Sequence, residues 1–74
     1  MKPVYIEWDD SAYRIGWQPA GWFPPCKIKT LGWLVSESND SVVISASDDG
    51  NEGVNCPMSI PKKAITLMQE VRWV

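Results

Sequence analysis

The sequence predicts an all-β fold: a small five-stranded barrel with a long aromatic loop after the first strand. Three observations carry this. Short apolar stretches alternate with period two, the signature of half-buried strands, at Val4-Ile6-Trp8, Val42-Ile44-Ala46 and Val54-Cys56-Met58-Ile60. Clusters of Asp, Asn, Ser and Gly separate them, and these side chains turn the backbone by bonding locally or by tolerating left-handed conformations. Finally, 74 residues suffice for one domain, spanning 1–74, whose thin core requires unusually good packing or a partner subunit.

Taken in order, the first strand carries Val4, Ile6 and Trp8 on one face and Tyr5, Glu7 and Asp9 on the other, and it ends at Asp9-Asp10-Ser11. Residues 12–25 form the aromatic loop. It holds Trp17, Trp22 and Phe23, but Gly and Pro interrupt it too often for a regular element. Pro24-Pro25 stiffens its exit. Cys26 to Glu37 reads as a long strand, apolar on both faces around Gly32. Cys26, Ile28, Thr30, Gly32 and Leu34 lie on one side, and Lys27, Lys29, Leu31, Trp33 and Val35 on the other. A strand that switches its buried face at a glycine is bent and shared between two halves of a barrel. Ser38-Asn39-Asp40 turns the chain into a return arm in which Val42, Ile44 and Ala46 alternate with Val43, Ser45 and Ser47.

The acidic loop 48–53 lacks the ligand spacing and closing Glu of a calcium-binding EF-hand. The fourth strand spans Val54 to Ile60, with Pro57 marking it as an edge or bulged strand. Two readings then compete. Either a 3₁₀ turn at 61–64 precedes a fifth strand with Leu67, Val71 and Trp73 on one side, or the helical spacing of Ala64, Ile65, Met68 and Val71 makes a helix over 61–71 and an α+β fold. Turn plus strand is preferred, because a bent sheet needs a closing strand to cover its edges.

This order of elements resembles an SH3-like or Sm-like β-barrel. The chain also resembles small uncharacterised bacteriophage accessory proteins, through Glu7-Trp8-Asp9-Asp10-Ser11, Gly16-Trp17, Leu31-Gly32-Trp33-Leu34-Val35 and Ile60-Pro61-Lys62-Lys63-Ala64-Ile65. That resemblance implies a phage accessory protein in the host cytoplasm and assigns no chemistry.

Composition excludes several functions. The sequence contains no His and only two Cys, so one chain cannot assemble a Cys/His zinc site. Ser11, Cys26 and Cys56 have no His to activate them, Asp9 and Asp10 point to opposite faces, and no Gly-rich phosphate loop occurs. The expectation is a protein that is not an enzyme and has no cofactor. Cys26 and Cys56 fall in apolar register and read as buried small hydrophobes, a disulfide being the alternative. Met1 to Glu7 has no apolar signal region and no apolar run is long enough for a membrane span, so the expectation is a cytoplasmic protein with reduced thiols.

Five Trp are a heavy load for this length. Trp8 and Trp33 read as core or inter-subunit packing. Trp17, Trp22 and Phe23 are too bulky for all three to fit inside, so one of them is expected to contact a ligand or partner. Arg14 in the loop, Lys27 and Lys29 on the second strand and Lys62 at the 3₁₀ turn supply positive charge beside the aromatics. The leading expectation is a homo-oligomeric phage protein that sequesters an anionic small molecule, such as a signalling nucleotide, as counter-defence. The alternative is an interaction module that docks a host protein through the aromatic loop. Nucleic-acid binding is disfavoured by the net charge of −2.

Overall fold

The computed structural model describes residues 1–10 and 26–72. Five strands form one antiparallel sheet: β1 (Lys2–Asp10), β2 (Cys26–Glu37), β3 (Ser41–Ser45), β6 (Met58–Pro61) and β7 (Ile65–Glu70), in spatial order β6-β3-β2-β1-β7. Two short strands, β4 (Ser47–Asp48) and β5 (Val54–Asn55), pair separately. The chain is therefore all-β, and a single 3₁₀ turn, η1 (Lys62–Ala64), precedes β7, so no helix spans 61–71. No pairing closes β6 onto β7 among the described residues, so the sheet is open there where the sequence predicts a closed barrel.

The period-two pattern of β1 is realised without a break. Val4, Ile6 and Trp8 are buried, while Pro3, Tyr5, Glu7 and Asp9 are half-buried on the outer face. With Val42, Ile44 and Ile60 they make the core, against which Ile28, Leu34, Ala64, Ile65 and Met68 pack. Burying each such side chain stabilises the fold by about 1.5–3 kcal/mol. Within this core Trp8 also donates its indole N–H to Thr30 Oγ1 at 3.0 Å, so its polar atom is satisfied.

β2 is shared as expected, pairing with β1 over residues 26–34 and with β3 over residues 33–37. The face switch, however, lies beyond Gly32. The β2–β3 register slips between Leu34 and Ser36, so Val35 bulges and Glu37 takes the same face as Val42. Gly32 serves a close approach instead. A Cβ there would collide with the Ile44 methyl and lie 2.9 Å from the Ser45 carbonyl oxygen.

The expected fourth strand is split. Cys56 adopts φ 52° and Pro57 follows, which ends β5 and separates it from β6. That kink turns the Cys56 side chain outward. Cys26 lies at the open end of the β1–β2 ladder, opposite Asp10 and beyond the core. Both cysteines are exposed and free, contrary to their apolar register. In the third strand, Ser45 is buried and Ala46 exposed, the reverse of the sequence reading, because the chain bends at Ala46 and β4–β5 folds over Ser45.

β7 holds the last difference. Its ladder with β1 slips so that Thr66 is extra between Ile65, opposite Trp8, and Leu67, opposite Glu7. Ile65 and Met68 therefore both pack on the core, whereas Leu67 is 42% exposed on the outer face. The spacing that imitated a helix comes from this bulge.

Candidate functional site: the outer face of the sheet

The β1 register aligns three strands into rows across the outer face. Lys27 lies beside Asp9; Lys29, Glu7 and Leu67 form the next row; Leu31, Tyr5 and Gln69 form a third. Trp33 lies beside Pro3, and Val71 is tied to the same place by its N–H, which donates to the Pro3 carbonyl at 3.0 Å. The face is charged at one end and apolar at the other.

At the apolar end, Pro3, Leu31, Gly32, Trp33, Ala46 and Val71 enclose a cavity of about 270 Å³. Leu31 at its rim is 69% exposed, the most exposed large apolar side chain among the described residues. Trp33 is half-buried here, on the opposite face from the core. Gly32 contributes a floor without a side chain. A cavity of this size with aliphatic and aromatic walls accepts an apolar side chain or ring and offers no charge to an anion.

The charged end is largely self-compensated. Lys27 Nζ lies 3.6 Å from Asp9 Oδ1, an exposed pair of small energetic weight. The Tyr5 hydroxyl donates to Glu7 Oε2 at 2.5 Å. That hydrogen bond, with a smaller contribution from burial, holds the phenol above its ordinary pKa. A shallow depression of about 70 Å³ lies among Glu7, Asp9, Lys27, Lys29 and Thr66. Lys29 is exposed beside it, and no ion-pair partner for it lies among the described residues.

Lys62 is far from this face in function. Its Nζ is 2.7 Å from Glu37 Oε2, and the Lys62 hydrogen bond and charge hold the Glu37 carboxyl below its ordinary pKa. Its backbone N–H donates to the Asp40 carbonyl at 2.8 Å. Arg14, Trp17, Trp22 and Phe23 lie outside the described residues.

Of the sequence-predicted site, then, Lys27 and Lys29 share one face with the cavity, and Lys62 is engaged elsewhere. Pro3, Ala46 and Val71 were not recognisable as site residues. Pro3 and Trp33 meet only through the β1–β2 register, which the sequence does not state. Among the described residues no group of three or more His, Cys, Asp or Glu could hold a metal ion, and no described helix is long and apolar enough to cross a membrane. Compared with known proteins, the chain matches no family model, no curated protein and no solved structure.

Proposed function

We propose that this is a non-enzymatic protein-interaction module of SH3-like build, which docks a partner protein on its outer sheet face. The cavity between Pro3, Leu31, Trp33 and Val71 carries this reading, because its walls are apolar and its rim is open. It would seat one apolar or aromatic side chain of the partner, with Lys29 and the Tyr5–Glu7 pair supplying the polar rim that such interfaces have. The strand order and the 3₁₀ turn before β7 support the SH3-like reading, and the resemblance to phage accessory proteins makes a host protein the expected partner. The aromatic loop, which the sequence suggests as the docking element, lies outside the described residues, and this reading uses the β1–β2–β7 face.

The test is capture from bacterial lysate on immobilised protein, with Trp33→Ala and Leu31→Asp as controls. A partner held by the wild-type protein and lost by both variants, whose far-UV circular dichroism is unchanged, is the expected result. Identical captures by all three proteins would overturn the proposal.

Sequestration of an anionic ligand is the second reading, favoured by exposed Lys29. It predicts a calorimetric signal with cyclic nucleotides that Lys29→Gln abolishes. It is the weaker of the two, since Lys27 and Lys62 already face carboxylates.

A further inference from the structure

The two edges of the main sheet are built differently. β6 is guarded: Pro57 precedes it, Pro61 ends it, and left-handed Cys56 bends the chain just before it. Proline withholds a donor, and such bends divert an incoming strand. β7, Ile65-Thr66-Leu67-Met68-Gln69-Glu70, contains no Pro, no Gly and no Lys or Arg. Among the described residues nothing pairs with its outer side.

The backbone directions at this edge follow from one hydrogen bond. The Val71 N–H points to β1, where it donates to Pro3. Antiparallel strands alternate, so Gln69 and Leu67 also direct their backbone groups to β1. Met68 and Glu70 therefore turn their N–H and C=O groups outward. We propose that β7 pairs antiparallel with β7 of a second copy of this chain, about a two-fold axis at Gln69, joining two sheets into one of ten strands.

Side chains select this register among those the backbone allows. Centring on Glu70 sets two carboxylates opposite each other. Centring on Met68 sets Leu67 against Gln69. Centring on Gln69 sets Met68 against Glu70 and, on the outer face, Leu67 of one copy against Val71 of the other. No like charges then oppose, and on the outer face Leu67 meets Val71, an apolar cross-strand pair of the kind that stabilises a sheet. Leu67, 42% exposed in the single chain, would be covered, and the apolar wall that Val71 gives the cavity would continue across the axis. Among the described residues six apolar side chains are buried, and a thin core of this kind gains most from a partner. This inference does not depend on the partner-docking reading, since it uses the edge of β7 and needs no other protein.

Three measurements test it together. Light scattering on the full chain at its highest soluble concentration should give twice the 8.3 kDa monomer mass. Glu70→Pro removes an outward N–H and leaves the β1–β7 ladder intact; it should give a monomer with an unchanged circular dichroism spectrum. Gln69→Cys, in a background of Cys26→Ser and Cys56→Ser, should form a disulfide-linked dimer on mild oxidation, because facing residues that do not exchange hydrogen bonds bring their Cα atoms within disulfide range. Lys29→Cys in the same background should not. A wild-type monomer overturns the inference. So does a dimer that survives Glu70→Pro and fails to cross-link through Gln69→Cys.

Discussion

At the scale of single residues, Ser45 concentrates the most consequence in the fewest atoms. Its side chain is fully buried. Its hydroxyl accepts the Asn55 N–H at 2.9 Å and the Ser47 N–H at 3.3 Å, and it donates to the Ser47 carbonyl at 2.6 Å. One oxygen thus ties both β4 and β5 to the end of β3. Ser45→Ala would leave these backbone groups facing a methyl, and we expect a loss of about 1–3 kcal/mol in urea denaturation. Amide exchange at Asn55 should quicken more than at Ile6. Unchanged exchange there would mean that the short hairpin holds itself. Nothing local in the sequence announces this. Alternation put Ser45 on the solvent side, and only a segment ten residues away makes that side an interior. Cys26 and Cys56 misled for the converse reason: their register is apolar, but one lies past the end of the core and the other at a left-handed kink. The lysines divide similarly. Their positions could be read, but the carboxylates that neutralise Lys27 and Lys62 are supplied by the pairing of strands.

At the scale of elements, bulges and loop ties account for what periodicity could not show. β1 was legible because its inner face is an unbroken run of alternating apolar residues, whereas the bulge at Val35 in β2 and the bend after Ser45 in β3 were not. β7 was ambiguous because Thr66 is inserted into its ladder, and its hydroxyl then donates to the Glu7 carbonyl at 3.1 Å. Two carboxylates act as ties between elements. Glu37 holds the end of β2 to η1 through Lys62. Asp49 accepts the N–H groups of Asn51 and Gly53 at 2.7 and 2.9 Å and shapes the β4–β5 loop, and these bonds hold its carboxyl below the ordinary value. Both groups bind protons less readily in the folded chain than in the unfolded one. Their stabilisation is therefore complete above the ordinary carboxylate range, roughly pH 4, and is lost as pH falls through the lower folded values. The melting temperature should drop on acidification below that range, and it should drop less in the Glu37→Gln, Asp49→Asn double variant. Parallel curves for the two proteins would show that neither tie matters.

At the scale of the whole molecule, β1 stands between β2 and β7, with one partner near in sequence and the other distant. The all-β class could be read, because most turn signals fell between alternating runs; the split of the expected fourth strand at Cys56 and Pro57 could not. Closure could not, since it depends on how far the sheet curls. β7 contributes Ile65 and Met68 to the inner face and covers one side of β1. A chain ending at Ala64 should therefore lose its cooperative thermal transition by circular dichroism. A retained transition would mean that four strands suffice.

The same arrangement sets a timetable for synthesis. Ile6 waits for Met68, its neighbour across the ladder. At roughly 5–20 residues per second, the ribosome makes Met68 about 3–12 s after Ile6. Throughout that interval the strand bearing Val4, Ile6 and Trp8 has one side with no partner, so the newborn chain passes through a sticky stage that only its final strand can end.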